Sequence, residues 1–370
     1  MAVSRINEAG LNVNQYGNRN LIINGAMQVA QRATSATGVG SGFAYPTLDR
    51  YKIVPSTSGR ATMTQTADGP AGFANCLKLE CTTADTSIAA GEYFNLRQSL
   101  EGQDVQRLKK GTSSAEKITV SFYVKGNAAA TYQCELSDQD NTRYNGQTFA
   151  VTTDWTRVIL TFDGDTTGAL DDDTARSLDL NIWLHAGSTY TGGTFTSNTW
   201  QTTDNQRVGS ITSFFDSTSR TFFITGLQME VGDTATDFEH RTFGDELQRC
   251  SRYYQKTKAA SDTTKLFGLV YIGADAGGVS YGTLAVPLVT TMRTVPALET
   301  TGTLSNYALF VKNAATALNT FSVDTGVDDG TIHGQFYLNA FATVSAGAGS
   351  CGAVRANGTA DAYVALDAEL

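Results

Sequence analysis

Between Pro70 and Pro287 the chain carries no proline, and through much of that span apolar side chains recur at every second residue. A proline inside a central strand removes a ladder hydrogen bond, so this gap leaves room for long, uninterrupted β-ladders. Leu178, Leu180, Ile182 and Leu184 form the cleanest alternation, placing Asp179, Asn181, Trp183 and His185 on the opposite face. Ile118, Val120, Phe122 and Val124 alternate in the same way against Thr119, Ser121, Tyr123 and Lys125, and Lys125-Gly-Asn127 then predicts a hairpin into 131–136. Val158, Leu160 and Phe162 alternate behind Trp155, which is expected in the core. Strands with one apolar face, joined by long Thr/Gly/Asp loops, make a sandwich of two sheets, with a jelly roll as the expected form. No internal repeat has the period that a solenoid or β-helix requires.

The alternation gives way within Phe222–Tyr254. Phe223, Leu227, Met229 and Val231 are expected to share one strand face, with Gln228 and Glu230 on the other. After a turn at Gly232-Asp233 the spacing becomes helical: Phe243, Leu247, Cys250 and Tyr254 lie four, three and four residues apart. A helix over about 245–256 follows, either a connector packed on its own domain or a short helix meeting symmetry mates at a threefold axis. Strands return at 266–272 and 279–286, and Asn357-Gly358 signals a hairpin near the end. A chain of 370 residues is too long for one typical core. The expected fold is all-β: an arm over 1–20, a jelly-roll β-sandwich over 21–243, a short helix over 244–257 and a second, smaller β-sandwich over 258–370. The arm is polar and is either a disordered terminus or an anchor that orders on a neighbouring subunit.

Lys and Arg number 27 against 36 Asp and Glu, and the net charge of −9 opposes nucleic acid and anionic membrane as partners. No run approaches the roughly 18 apolar residues of a membrane span, and Met1-Ala-Val-Ser-Arg-Ile-Asn lacks the apolar segment of a signal peptide. The five cysteines, Cys76, Cys81, Cys134, Cys250 and Cys351, are an odd and scattered set, expected as buried free thiols. Cys76 and Cys81 have no second Cys/His pair to complete a structural zinc site.

Catalytic signals are absent. No Gly-x-Ser-x-Gly elbow presents a serine, and the histidines His185, His240 and His333 are expected to be structural or at the surface. Glycosidase chemistry needs two carboxylates facing across a cleft, and no spacing among the acids singles out a pair. No cofactor is expected, with calcium the one open candidate. The loop from Asp163 to Thr174 partly matches a calcium loop through Asp163, Asp165 and Asp171, with Asp173 nearby, although Thr174 stands where the bidentate Glu belongs. The alternative is a solvated acidic turn. Sugar binding needs aromatic faces and planar polar groups. Tyr190 and Trp200 offer these on one Thr/Gly-rich loop and are expected to stand exposed on a common rim, with Tyr144 a further candidate.

Three segments carry a family resemblance: 20–28 (Asn-Leu-Ile-Ile-Asn-Gly-Ala-Met-Gln), 228–254 from Gln-Met-Glu-Val-Gly to Arg-Tyr-Tyr, and 362–370. Together they resemble tailed-bacteriophage virion proteins of the tail-fibre and tail-spike kind, and the domain over 21–243 resembles carbohydrate-binding modules in pattern. The resemblance implies a virion protein, made in the host cytoplasm, that binds host surface polysaccharide without catalysis. It also implies attachment to other virion proteins through the arm and assembly as a homotrimer, with Phe243, Leu247, Cys250 and Tyr254 as interface candidates. A structural head-decoration or tail-scaffold role is the alternative, and a polysaccharide-degrading spike a second.

Overall fold

A computed structural model describes residues 18–274, 280–323, 335–342 and 351–370. The chain divides into two compact units, 1–246 with Leu370, and 247–369. Residues 1–17 of the expected arm lie outside the described residues.

The first unit holds eleven strands: β1 (Ser35–Val39), β2 (Lys52–Ser56), β3 (Arg60–Thr66), β4 (Cys76–Thr83), β5 (Tyr93–Glu101), β6 (Ile118–Gly126), β7 (Ala130–Asp138), β8 (Arg143–Val151), β9 (Thr156–Phe162), β10 (Arg176–Ala186) and β11 (Thr221–Val231). They form two antiparallel sheets, ordered β1-β3-β4-β11-β6-β9 and β2-β5-β10-β7-β8. This is a jelly-roll β-sandwich. The inner faces meet through aromatic edges: Phe122 of β6 on Phe149 of β8 at 5.0 Å, and Tyr132 of β7 on Phe222 of β11 at 5.5 Å. Leu178, Leu180, Ile182 and Leu184 all face this core.

Two local expectations change. The turn after Lys125 does not make a hairpin, because β6 and β7 belong to different sheets. The apolar faces of both strands are satisfied by the same core, so the chain crosses over it rather than folding back alongside itself. In β11 the register against β6 shifts between Thr225 and Gln228, and Gly226 takes φ 63°. This β-bulge inverts the alternation. Phe222 and Ile224 therefore share the core with Leu227 and Met229, while Phe223 turns outward to Trp155 and the ammonium of Lys125. Trp155 is thus on the outer face and only part-buried.

The segments at 20–28 and 228–246 fold against each other. Asn20 accepts from the Ile22 and Met229 amides at 2.9 and 3.0 Å and donates to the Leu227 carbonyl at 3.1 Å. Glu239 accepts from the Asn18 and Asn20 amides, and Arg241 donates to the Asn20 and Ile22 carbonyls. Glu246 accepts from the Asn24 amide. Gln98 of β5 exchanges two hydrogen bonds with Ile23, at 2.8 and 2.9 Å, so one short segment is tied to both sheets. At Gly25 an added Cβ would lie 2.1 Å from the Leu227 carbonyl oxygen, which is why the close approach requires glycine.

The second unit carries β12 (Tyr254–Lys258), β13 (Lys265–Ala274), β14 (Ser280–Pro287), β15 (Ala297–Thr300), β16 (Tyr307–Val311), β17 (Ala314–Ala317), β18 (Thr320–Val323), β19 (Gln335–Ala342), β20 (Cys351–Ala356) and β21 (Tyr363–Asp367). Their order is β12-β21-β15 in one sheet and β17-β16-β20-β13-β14-β19-β18 in the other. Leu309, Val354, Val364 and Leu366 contribute to one core from both sheets. Asn357-Gly358 therefore links strands of different sheets rather than closing a hairpin.

The helix spans Phe243–Ser251, shorter than expected. Thr242 and Asp245 cap its start reciprocally: the Thr242 hydroxyl donates to the Asp245 carboxylate at 2.7 Å and accepts from its amide at 3.2 Å. Tyr254 belongs to β12 instead. Cys250 and Tyr254 are buried within a single chain, which withdraws them as contacts with a second copy; Leu247 is half-buried and Phe243 is 56% exposed.

All five cysteines are free, and Cys351 is exposed, against expectation. Burial pushes the Cys76 and Cys81 thiols up to about 11 and raises Cys134 as well. A thiol reagent at pH 8 is expected to label one cysteine in the native protein and five after denaturation, as counted by intact mass. Asn24, at φ 61°, spans its turn with four side-chain hydrogen bonds, to Val29, Asp49 and Gln28 backbone groups. Asn24→Ala is expected to lower stability by about 3 kcal/mol in urea denaturation.

Candidate functional site

The outer face of the five-stranded sheet is polar and covered. Asp179, Asn181, Trp183 and His185 of β10 are each at most 1% exposed. Registers place Lys52, Arg97, Asn181, Glu135 and Gly146 in one row across β2, β5, β10, β7 and β8. Side chains directly opposite in such a row point the same way. Hydrogen bonds run along it: Arg97 donates to Asn181 at 2.7 Å, and Asn181 donates to Glu135 at 3.1 Å. The neighbouring row centres on Asp179, which accepts from Ser99 and from Arg176, both at 2.7 Å, and pairs with Arg97 at 3.4 Å. A buried carboxylate is tolerable only when paired in this way.

The segment between β10 and β11 lies over the β7–β8 side of this face. Tyr144 and Gln201 exchange backbone hydrogen bonds at 2.8 and 2.9 Å, and Gln133 holds the Arg207 carbonyl and the Gly209 amide. Arg207 binds Glu135 in a two-pronged ion pair at 2.8 and 3.0 Å. Its guanidinium stacks 3.6 Å from the Tyr144 ring centre and 5.1 Å from that of Trp183. Burial works against the charge on Arg207, but Glu135 outweighs it and holds the guanidinium more firmly protonated than usual.

Beside Arg207 a cleft of about 290 Å³ stays open. Tyr190 stands edge-on to Tyr93 at 5.5 Å and packs on Trp183 at 5.2 Å, and all three rings line the cleft. Tyr93 and Tyr190 are half-buried, while Phe43 on the opposing loop is 64% exposed. Asn95, Arg97 and Arg176 supply polar groups. Asn95 Oδ1 and Trp183 Nε1 are buried and have no hydrogen-bond partner among the described residues. A buried amide oxygen and indole N–H left unpaired are costly, and both belong to residues that line the cleft.

The expected sugar-site residues separate. Tyr190 lies on the cleft wall. Tyr144 is 8% exposed beneath Arg207, which leaves no free ring face. Trp200 does not line the cleft: its ring is part-buried against the core and lies 5.2 Å from the Lys110 ammonium, and its indole N–H donates to the Asp163 carbonyl at 2.7 Å. The common rim for Tyr190 and Trp200 is therefore withdrawn. Phe43, Asn95, Trp183 and Arg207 were not singled out as ligands.

The acidic loop does not assemble as a cation site. Asp165 is buried and accepts from Arg143 at 2.6 and 3.1 Å, with the Lys110 ammonium at 3.1 Å. Burial would raise its carboxyl, but the hydrogen bonds from Arg143, Thr167 and Lys110 prevail and hold it below the usual range. Asp163 pairs with Lys117 at the surface, Asp173 accepts from the Ala175 amide, and Asp171 is exposed. Among the described residues no three of these carboxylates converge; the group that does is Asp85, Glu92 and His185.

No protein-family model and no curated protein matches the chain. Several solved structures are similar at low identity. A CBM4 carbohydrate-binding module is 12% identical, over 56% of this chain and 97% of its own, with a TM-score of 0.30. The enzymatically active domain of tailspike protein 4 from bacteriophage CBA120 is 13% identical, over 58% of this chain and 21% of its own, also at 0.30. The family 11 carbohydrate-binding module of the cellulase Lic26A-Cel5E from Clostridium thermocellum is 10% identical, over 56% and 98%, at 0.27. Likeness this distant says nothing of the site, whose chemistry rests on the contacts above. Arg207→Ala strands Glu135 under the loop and is expected to cost about 3 kcal/mol, measured as a loss of stability in urea.

Proposed function

We propose that the protein binds glycan without catalysis, in the cleft between Phe43, Tyr93 and Tyr190. One observation carries this: half-exposed aromatic faces stand beside two buried, unpartnered polar atoms, Asn95 Oδ1 and Trp183 Nε1. A sugar ring presents C–H groups on one side and hydroxyls at its edge, so it needs both kinds of surface at once. Arg97 and Arg176 add planar donors suited to a carboxylate-bearing sugar. The absence of catalysis is supported by the two acids of this face. Asp179 and Glu135 are both bound by arginines, and neither lines the cleft, so no carboxylate of this pair faces a ligand there.

We place this activity on a tailed-phage appendage, in keeping with the motifs at 20–28 and 228–254, with host surface polysaccharide as the ligand. A homotrimer attached through residues 1–20 would repeat the cleft and gain avidity from weak individual sites. Phe243, exposed at the start of the helix, is the remaining candidate contact between copies.

Screening the full chain on an array of neutral and acidic bacterial glycans, followed by calorimetry on the best ligand, tests the cleft. Tyr190→Ala and Phe43→Ala are each expected to weaken binding roughly tenfold, ~1.4 kcal/mol. Trp200→Ala should leave affinity unchanged in protein that remains folded. Binding that survives both cleft substitutions would overturn this site, and an array without signal would favour a structural role.

A further inference from the structure

The group formed by Asp85, Glu92 and His185 lies outside the cleft and takes no part in the binding proposed above. Each residue offers one ligand atom, and these atoms all lie within 4.8 Å of one another. Asp85 is in the loop after β4, Glu92 immediately precedes β5, and His185 is near the end of β10. His185 is completely buried and Asp85 is 5% exposed. The Glu92 side chain, 18% exposed, gives the group its access to solvent.

The imidazole is oriented by a neighbour. His185 Nδ1 lies 2.8 Å from the Ser213 hydroxyl oxygen, which also accepts from the Phe215 amide at 3.1 Å. In the tautomer whose Nδ1–H donates to Ser213, Nε2 carries a lone pair, and Nε2 has no hydrogen-bond partner among the described residues. It lies 3.9 Å from Glu92 Oε2, beyond hydrogen-bonding range. A lone pair facing two carboxylates in a buried site is repulsive unless a cation stands between them.

We propose that His185 Nε2, with one carboxylate oxygen each from Glu92 and Asp85, forms a binding site for a zinc-class divalent cation. Two ligands on a tetrahedral zinc, with bonds of about 2.1 Å, stand about 3.4 Å apart, so an ion would draw His185 Nε2 and Glu92 Oε2 in from 3.9 Å and the group as a whole in from a span of up to 4.8 Å. An imidazole with two carboxylates suits zinc or cobalt better than calcium, which takes oxygen ligands. The remaining carboxylate contacts hold the ligands in place. Thr57 and the Ser58 amide donate to Asp85, and the Ala89 amide donates to Glu92 at 2.6 Å. A bound ion would join the loop after β4 to the start of β5 and the end of β10, one residue before Tyr93 of the cleft wall.

The test uses the full chain carrying Cys351→Ser, because an exposed thiol is itself a zinc ligand. Calorimetry with zinc should give one site per chain and a saturable rise in Tm, and cobalt should give visible absorption bands of a low-coordinate ion. Glu92→Gln should weaken zinc binding at least tenfold while leaving the metal-free Tm nearly unchanged; Asp85→Asn provides the second variant if that protein folds poorly. No heat with zinc and no cobalt bands would overturn the site. So would unchanged zinc affinity in the folded variants, or calcium stabilising the protein as strongly as zinc.

Discussion

The first unit depends on the hydrogen-bonded closure of its earliest described segment over β11 and β5. A sandwich buries the inner faces of its sheets readily, but its ends expose backbone groups that must find partners. Here Asn20, Asn24, Glu239, Arg241 and Gln98 supply them, joining both sheets through one short stretch of chain. Gly25 lets that stretch lie directly on the Leu227 carbonyl. Two motifs more than 200 residues apart, which carry the phage resemblance, are thus parts of one contact.

A second constraint acts on the five-stranded sheet. Both faces of β10 are buried, one against the apolar core and one beneath ion-paired side chains and a long loop. The polar face is stable because its charges are matched row by row: Asp179 with Arg176 and Arg97, Glu135 with Arg207. That same matching organises the cleft. Arg207 secures the covering loop on the sheet, and the loop carries Tyr190 to Tyr93 and Trp183. Asn95 and Trp183, in the cleft lining, keep unpaired polar atoms.

Much of the fold was legible in the sequence, and less of the site. Period-two patterning in Leu178–Leu184 identified a core strand, because burial of one face leaves a direct imprint on composition. Partner choice left no such imprint. Lys125-Gly-Asn127 has the composition of a hairpin turn yet joins two sheets, and the Gly226 bulge exchanged Phe223 for Phe222 in the core. Trp200, set among polar neighbours, suggested an exposed platform, but Lys110 and the Asp163 carbonyl hold it elsewhere. Asp, Asn, Trp and His along the polar face of β10 were a readable hint of a functional face. Arg207, in an irregular loop, had no comparable signal.

The sequence by itself determined the all-β class, the strands with their apolar faces, and the net acidic charge. Those properties follow from local periodicity and summed charge, which need no knowledge of distant contacts. Only the tertiary structure decided which strands became neighbours, which carboxylates were neutralised, and which aromatics met at the cleft. It also brought Asp85, Glu92 and His185 together from separate parts of the chain. Such outcomes depend on registers and loop paths between residues far apart in sequence, where spacing along the chain carries no information about distance in space.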